Sequence, residues 1–330
     1  MAAVDLIEVW RGDLVECVHQ GHVVVAGADG EIVQAWGDPA AVIYPRSAFK
    51  MIQALPLIES GAADAAGLRV DQLALACASH QGAAIHTDRV QAWLAGIGLS
   101  DADFRCGPHA PSDIPARDRL IKTDKSPCQY HNNCSGKHSG FLTLNQHLGG
   151  GAEYIDIDHP VQKAVLAAFE EVTGEASPGY GIDGCSAPSH ATTVHGLARA
   201  MAHFATAQDR SDTRAAAQLR LTGAMAAFPE LVSGEGQACT ELMRACGGQV
   251  AIKGGADGAY VAILPQQRLG VALKIVDGSD RAKEAAVAAV LIKLGVLDAA
   301  HPAATRRVNT VMKNWRGVAV GSVKPAAALA

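Results

Sequence analysis

Ser47 and Lys50 are separated by two residues in "YPRSAFKMIQALP", which begins at Tyr44. On a helix, positions three apart share a face. A serine hydroxyl is a weak nucleophile at neutral pH, and a neutral lysine amine one turn away can take its proton. Burial or nearby cations are what make such an amine neutral. Pro45 and Arg46 mark a helix N-terminus, whose positive field favours an alkoxide and an oxyanion. Taken alone, Ser-x-x-Lys recurs by chance, and the stretch reads equally as the start of an amphipathic helix.

Two further positions change the weight of that pair. Ser79 lies in "CASHQG", at the C-terminal end of an apolar helix, and Lys253 lies in "AIKGGADG", on a strand followed by two glycines. The order Ser-x-x-Lys, then serine, then Lys-Gly on a late strand is that of serine β-lactamases and penicillin-binding proteins. A second Ser–Lys pair would relay a proton to the leaving group, and paired glycines would keep the strand edge open for substrate. Each residue also has a plainer reading, as an exposed strand lysine and as a polar helix end.

The third constellation is "CQYHNNCSGKHSG". Cys128, His131, Cys134 and His138 have the spacing C-x2-H-x2-C-x3-H, and thiolate and imidazole are the preferred zinc donors. Cys185 in "GIDGCSAPSH", with Asp183 beside it, is a further candidate. Spacing does not decide which of these bind, and a free cysteine also packs as a small hydrophobe. The glycine turns "GADG" at 27–30 and "GGADG" at 254–258 lack the pattern of a dinucleotide site.

The elements that must carry these residues fall into three blocks. Near the start, three short strands are expected at 14–19, 22–26 and 31–36, with turns at Gln20-Gly21 and Asp29-Gly30. The middle reads as helices at 46–60 (interrupted at Pro56), 71–77, 86–97, 160–174, 191–206 and 213–229. Residues 105–140, rich in Pro, His, Cys and Asn, read as largely irregular. The end returns to strands at 249–255, 258–265 and 269–278, then a helix at 279–295 with Ser279 or Asp280 as its N-cap. Strands at both ends and helices between predict α+β, with one antiparallel sheet from the terminal strands and a helical middle lobe, over a single domain of 1–330.

Composition bounds the function class. The 330 residues are 49% hydrophobic and 18% charged, with net charge −5. That is globular, and the absence of a basic run argues against nucleic acid as a partner. No apolar run reaches the ~18 residues a membrane span needs, and the N-terminus lacks the pattern of a secretory signal. Eight cysteines in such a chain read as reduced thiols, so a cytoplasmic enzyme is expected.

Together, "YPRSAFKMIQALPL", "ASHQG", "HNNCSGKHSGFL", "GIDGCSAPSH" and "KGGADG", in this order, resemble the Rhizobium-type L-asparaginases of the asparaginase II family. The match runs from about residue 5 to 295, with no departure at the motif positions. The resemblance implies a serine β-lactamase-like, glutaminase-like fold, and hydrolysis of L-asparagine to L-aspartate and ammonia. It implies Ser47 as nucleophile, Lys50 as its partner, and Ser79 with Lys253 as the second pair. It places Arg46, His138 and Asp183 at the substrate. It also implies one zinc ion on Cys134, Lys137 and Cys185, with water completing the shell, and a homodimer. A lysine ligand must be neutral, which a bound cation favours. Two other readings stay open: a β-lactamase-like hydrolase of another small amide, and a zinc-binding sensor without catalysis.

Overall fold

The computed structural model describes residues 2–330, and the chain is α+β with strands from both ends of the sequence in one sheet. The sheet has eight strands: β1 (Val4–Arg11), β2 (Leu14–Ala26), β3 (Ile32–Trp36), β4 (Ala251–Gly254), β5 (Ala259–Leu264), β6 (Leu269–Ile275), β7 (Thr310–Lys313) and β8 (Ala319–Pro325). Their order is β7-β8-β1-β2-β6-β5-β4, with β3 also on β2. Every pairing is antiparallel. Strand β2 is the hub: β1 and β3 share one of its edges, and β6 takes the other.

Strand β2 also corrects the sequence reading. It runs unbroken through Gln20-Gly21, where a turn is expected. Gly21 serves close approach there. A Cβ on it would lie 2.4 Å from the Lys274 carbonyl oxygen and 2.8 Å from Leu6 Cδ1. A glycine inside a strand often marks this role. The expected turn at Asp29-Gly30 is present, with Gly30 at φ 81°. Strands β1, β7 and β8 were not anticipated.

The chain divides into two compact units. One comprises Met1–Ala48, Thr192–Thr206 and Glu241–Ala330 and contains the whole sheet. Helices Val194–Ala205 and Asp280–Lys293 pack on that sheet. Helix Val194–Ala205 comes so close to β6 that a Cβ on Gly270 would meet Ala202 N at 2.0 Å. Ser279 caps the later helix by accepting from Ala282 N.

The other unit comprises Phe49–Ala191 and Ala207–Thr240 and is mainly helical. Its main helices are Val70–Ala76, Ala84–Gly96, Ile114–Lys122, Ser135–Leu148, Pro160–Thr173 and Thr213–Ala227. Pro160 at the first turn and Gly174 at φ 70° frame their helix as helices prefer. The segment 105–140 is less irregular than its composition implies, since one helix lies inside it and another begins at Ser135. Gly136 sits where that helix meets Val70–Ala76, and a Cβ there would lie 2.3 Å from the Leu75 carbonyl oxygen. The expected helix at 46–60 is broken at Ala54 into Lys50–Gln53 and Leu55–Glu59, and Pro56 opens the second piece. None of the eight cysteines is in a disulfide.

Three histidines of the helical unit set an acid limit. His80, His86 and His190 are buried, and burial pushes each imidazole below its usual range, His80 furthest. Their unfolded value is ~6.5. Below it the unfolded chain takes up protons that the folded chain refuses. Their stabilisation is therefore complete above about pH 6.5 and is lost as pH falls below it, by up to ~1.4 kcal/mol per pH unit for each histidine. Urea midpoints between pH 8 and 5 should be flat above that pH and fall below it. A profile flat throughout would contradict the assignment.

Candidate active site

The first turn of the 46–53 segment is a 3-10 helix, Arg46–Phe49, running into the α-turn Lys50–Gln53. Arg46 has φ 51°, the left-handed region, which costs an L-residue about 1–2 kcal/mol. Its guanidinium forms an ion pair with Asp257, itself at φ 52°. Two strained residues thus face each other across this pair, and Ser47, half-buried, follows the first. Such strain tends to gather at functional sites.

The "KGGADG" loop after β4 lies against this turn. A Cβ on Gly255 would be 2.5 Å from the Pro45 carbonyl oxygen and 3.0 Å from Ala48 N. Lys283 Nζ donates to the Gly255 carbonyl at 2.7 Å and holds the loop from behind. Lys253 is buried, and its ammonium donates to the Gly254 carbonyl at 2.7 Å. Gly255→Ala should therefore displace the Ser47 turn or cost about 1–3 kcal/mol. Urea denaturation and turnover measured side by side would read it; wild-type values in both would refute the close packing.

In the helical unit Lys50 is 1% exposed. Its ammonium donates to the Ala78 carbonyl, to Ser79 Oγ at 2.9 Å and to Cys134 Sγ at 3.1 Å. Ser79 is positioned by its own N–H, which donates to the Val232 carbonyl at 2.9 Å. Beside this trio, Lys137 Nζ donates to Cys185 Sγ at 3.0 Å, and the Cys134 and Cys185 side chains hydrogen-bond each other. Cys134 stands at the N-cap position of helix Ser135–Leu148, Lys137 projects from its first turn, and Cys185 sits in the tight turn between Asp183 and Ala187.

The electrostatics follow from those contacts. The hydrogen bond to Cys134, with the Lys137 and Lys50 ammonium groups, holds the Cys185 thiol well below its usual range despite burial. The same hydrogen bond and burial push Cys134 up to about 12. Burial disfavours the Lys137 charge, but the Cys185 and Cys134 sulfurs outweigh it, Asp183 adds to them, and Lys137 shifts upward. Without a metal, Cys185 is held toward thiolate and Cys134 toward thiol, between the Lys137 and Lys50 ammonium groups.

His138 is fully buried next to this set. Tyr154 Oη accepts from Arg105 N at 2.9 Å and also lies 2.9 Å from His138 Nδ1, to which its own proton can be donated. With the phenol as donor the His138 proton resides on Nε2, which is buried and has no partner. Tyr154 escapes sequence reasoning, since nothing in "GAEYIDIDHP" sets it apart. The spacing C-x2-H-x2-C-x3-H does not assemble into a site. Cys128 Sγ pairs with His131 Nδ1 at 3.2 Å, while Cys134 and His138 have the other partners just described. Among the described residues no three His, Cys, Asp or Glu side chains gather to hold a metal ion. Cys134, Lys137 and Cys185 do gather, and offer two sulfurs and one amine nitrogen, a donor set that fits zinc if the amine is neutral.

The sequence of residues 7–325 matches the family model described as L-asparaginase II. The chain belongs to the asparaginase II family. As an asparaginase II chain it is an amidohydrolase of the L-asparaginase-like kind, with a small molecule as substrate. No curated protein matches it in sequence. Among solved structures it is similar to a β-lactamase from Mycobacterium bovis, at 15% identity and TM-score 0.46, over 83% of this chain and 94% of that one. It is also similar to Mglu in its tris and glutamate form, at 14% identity and TM-score 0.48, over 84% of this chain and 59% of that longer one. Among the described residues of this asparaginase II chain, no helix is long and apolar enough to cross a membrane.

Proposed function

We propose that this chain hydrolyses L-asparagine to L-aspartate and ammonia through an acyl-enzyme on Ser47. The observation that carries the reading is Lys50, a buried amine 2.9 Å from Ser79 Oγ and one helical turn along the chain from Ser47. In the reactive form its amine is neutral and takes the Ser47 proton as Oγ attacks the side-chain carboxamide carbon. Ser79 passes the proton on, and Lys253 is the second amine of that relay. The Ser47 N–H, at the head of the turn, stabilises the oxyanion. The proton reaches the leaving nitrogen, ammonia departs, and water then hydrolyses the ester.

Arg46 provides a cation for the substrate α-carboxylate. The unpartnered His138 Nε2–H is a donor for the same amino-acid end, and Asp183 an acceptor for its ammonium. Cys134, Lys137 and Cys185 would hold zinc, which when bound supplies a fixed positive charge that orders the substrate. The same reading makes the enzyme a cytoplasmic homodimer.

The test is ammonia release from L-asparagine by the purified protein, with L-glutamine and a chromogenic cephalosporin beside it. Turnover of the cephalosporin without ammonia from asparagine would overturn the proposal in favour of another small amide. If Tyr154 fixes the His138 proton on Nε2, Tyr154→Phe should raise KM about tenfold and leave kcat within about twofold, the sign of lost uniform binding. An equal fall in kcat at constant KM would contradict that role.

A further inference from the structure

A second cluster of reactive groups lies in the sheet unit, on residues the proposed hydrolysis does not use. Cys17 and His19 stand two apart on β2, so their side chains share a face. His19 Nε2 is 3.7 Å from Cys17 Sγ, and His19 Nδ1 is 2.6 Å from Asp277 Oδ2. Arg281 Nη2 is 3.0 Å from the same His19 Nε2. A guanidinium can only donate, so Nε2 accepts and the imidazole proton sits on Nδ1, donated to Asp277. Asp277 is itself held, its Oδ1 accepting from Ser279 N at 3.0 Å. The result is an imidazole oriented by a carboxylate with its basic nitrogen toward a thiol.

Arg281 adds an independent mark. It occupies the first turn of helix Asp280–Lys293, where the helix field disfavours a cation. It is exposed, and it donates to a histidine nitrogen. A cation and an oriented imidazole beside a partly exposed sulfur are the surroundings that favour a thiolate. Cys128 also has an imidazole neighbour, but His131 Nδ1, 3.2 Å from its sulfur, accepts from the Cys128 backbone N–H at 3.1 Å. Cys77, Cys106, Cys134, Cys185 and Cys239 are buried, and burial pushes the half-buried Cys128 and Cys246 upward.

We propose that Cys17, with His19, Asp277 and Arg281, is a thiol–disulfide exchange site for low-molecular-weight disulfides that carry carboxylates, the class of oxidised glutathione. His19 Nε2 takes the Cys17 proton, and Arg281, losing that acceptor, turns to a carboxylate of the incoming disulfide. The Cys17 thiolate attacks one sulfur. A Cys17–S bond forms, the incoming S–S bond breaks, and the departing thiolate takes the proton back from His19. Cys17 is oxidised and the small disulfide is reduced, with no other reactant.

The experiment incubates the full chain with oxidised glutathione, quenches with an alkylating agent and follows adducts by peptide mass spectrometry. Cys17 should acquire its adduct roughly tenfold faster than Cys128 or Cys246. His19→Gln and Arg281→Met should each slow it about tenfold. Arg281→Met should have a smaller effect with the uncharged bis(2-hydroxyethyl) disulfide. Should His19→Gln fail to fold, the exposed Arg281→Met variant still carries the test. Cys17→Ser should remove the adduct and leave ammonia release unchanged. A first adduct on Cys128 or Cys246, or a Cys17 rate indifferent to Arg281→Met, overturns the proposal.

Discussion

Ser47→Ala is expected to lower ammonia release from L-asparagine by roughly four to six orders of magnitude, the scale on which a serine hydrolase loses activity with its nucleophile. The change removes one oxygen from a half-buried side chain and leaves the Ala48 N to Pro45 carbonyl hydrogen bond, 3.0 Å, and the Arg46–Asp257 ion pair in place. Stability and zinc content should therefore match the parent protein. That combination separates two chemistries. If water activated at a metal were the nucleophile, loss of the hydroxyl would cost far less, and near-parental turnover in the variant would refute the acyl-enzyme. Mass spectrometry of the parent protein quenched during turnover gives the positive counterpart, an aspartyl adduct on the peptide containing Ser47.

How much of this was legible from the residues depended on whether their local signals were one-sided. Helix Pro160–Thr173 carries an apolar stripe between a proline and a glycine, and the Asp29-Gly30 turn separates two apolar runs, so both were readable. Helix Ser135–Leu148 was not, because every residue from Ser135 to Asn145 is buried. A helix covered on all sides has no polar face to set the period, and its Ser, Gly and His content reads as loop. Gly21 misled for a related reason. Glycine marks both turns and close approaches, and only the neighbouring β6 shows which one applies. The candidate site divides in the same way. Ser47, Lys50, Ser79 and Lys253 stood out as types and order, whereas Tyr154 gains its importance only through the 2.9 Å contact with His138. The spacing of Cys128 and His131 attracted a zinc reading that their mutual hydrogen bond accounts for without a metal.

If Cys134, Lys137 and Cys185 hold zinc as proposed, its binding should grow tighter with pH at a rate that counts the protons displaced. In the metal-free pocket Cys185 is already held toward thiolate, while Cys134 keeps its proton up to about pH 12 and Lys137 is held charged by its sulfur neighbours. A zinc ion on all three needs two more deprotonations, one from the Cys134 thiol and one from the Lys137 ammonium. The association constant should then rise about a hundredfold per pH unit, or roughly four orders of magnitude between pH 6.5 and 8.5. Competition with a chelator of known proton linkage measures this directly. Lys137→Met removes one of the two protons along with one ligand, so its slope should fall to about tenfold per pH unit and its affinity at any fixed pH should drop. Cys185→Ala instead leaves Lys137 buried and charged without the thiolate 3.0 Å away, which should cost about 3–5 kcal/mol of stability in the metal-free protein. A parental slope near tenfold per pH unit, unchanged by Lys137→Met, would show that the lysine keeps its proton when metal binds. The ion would then sit on the sulfurs alone, and Lys137 would be their counter-ion.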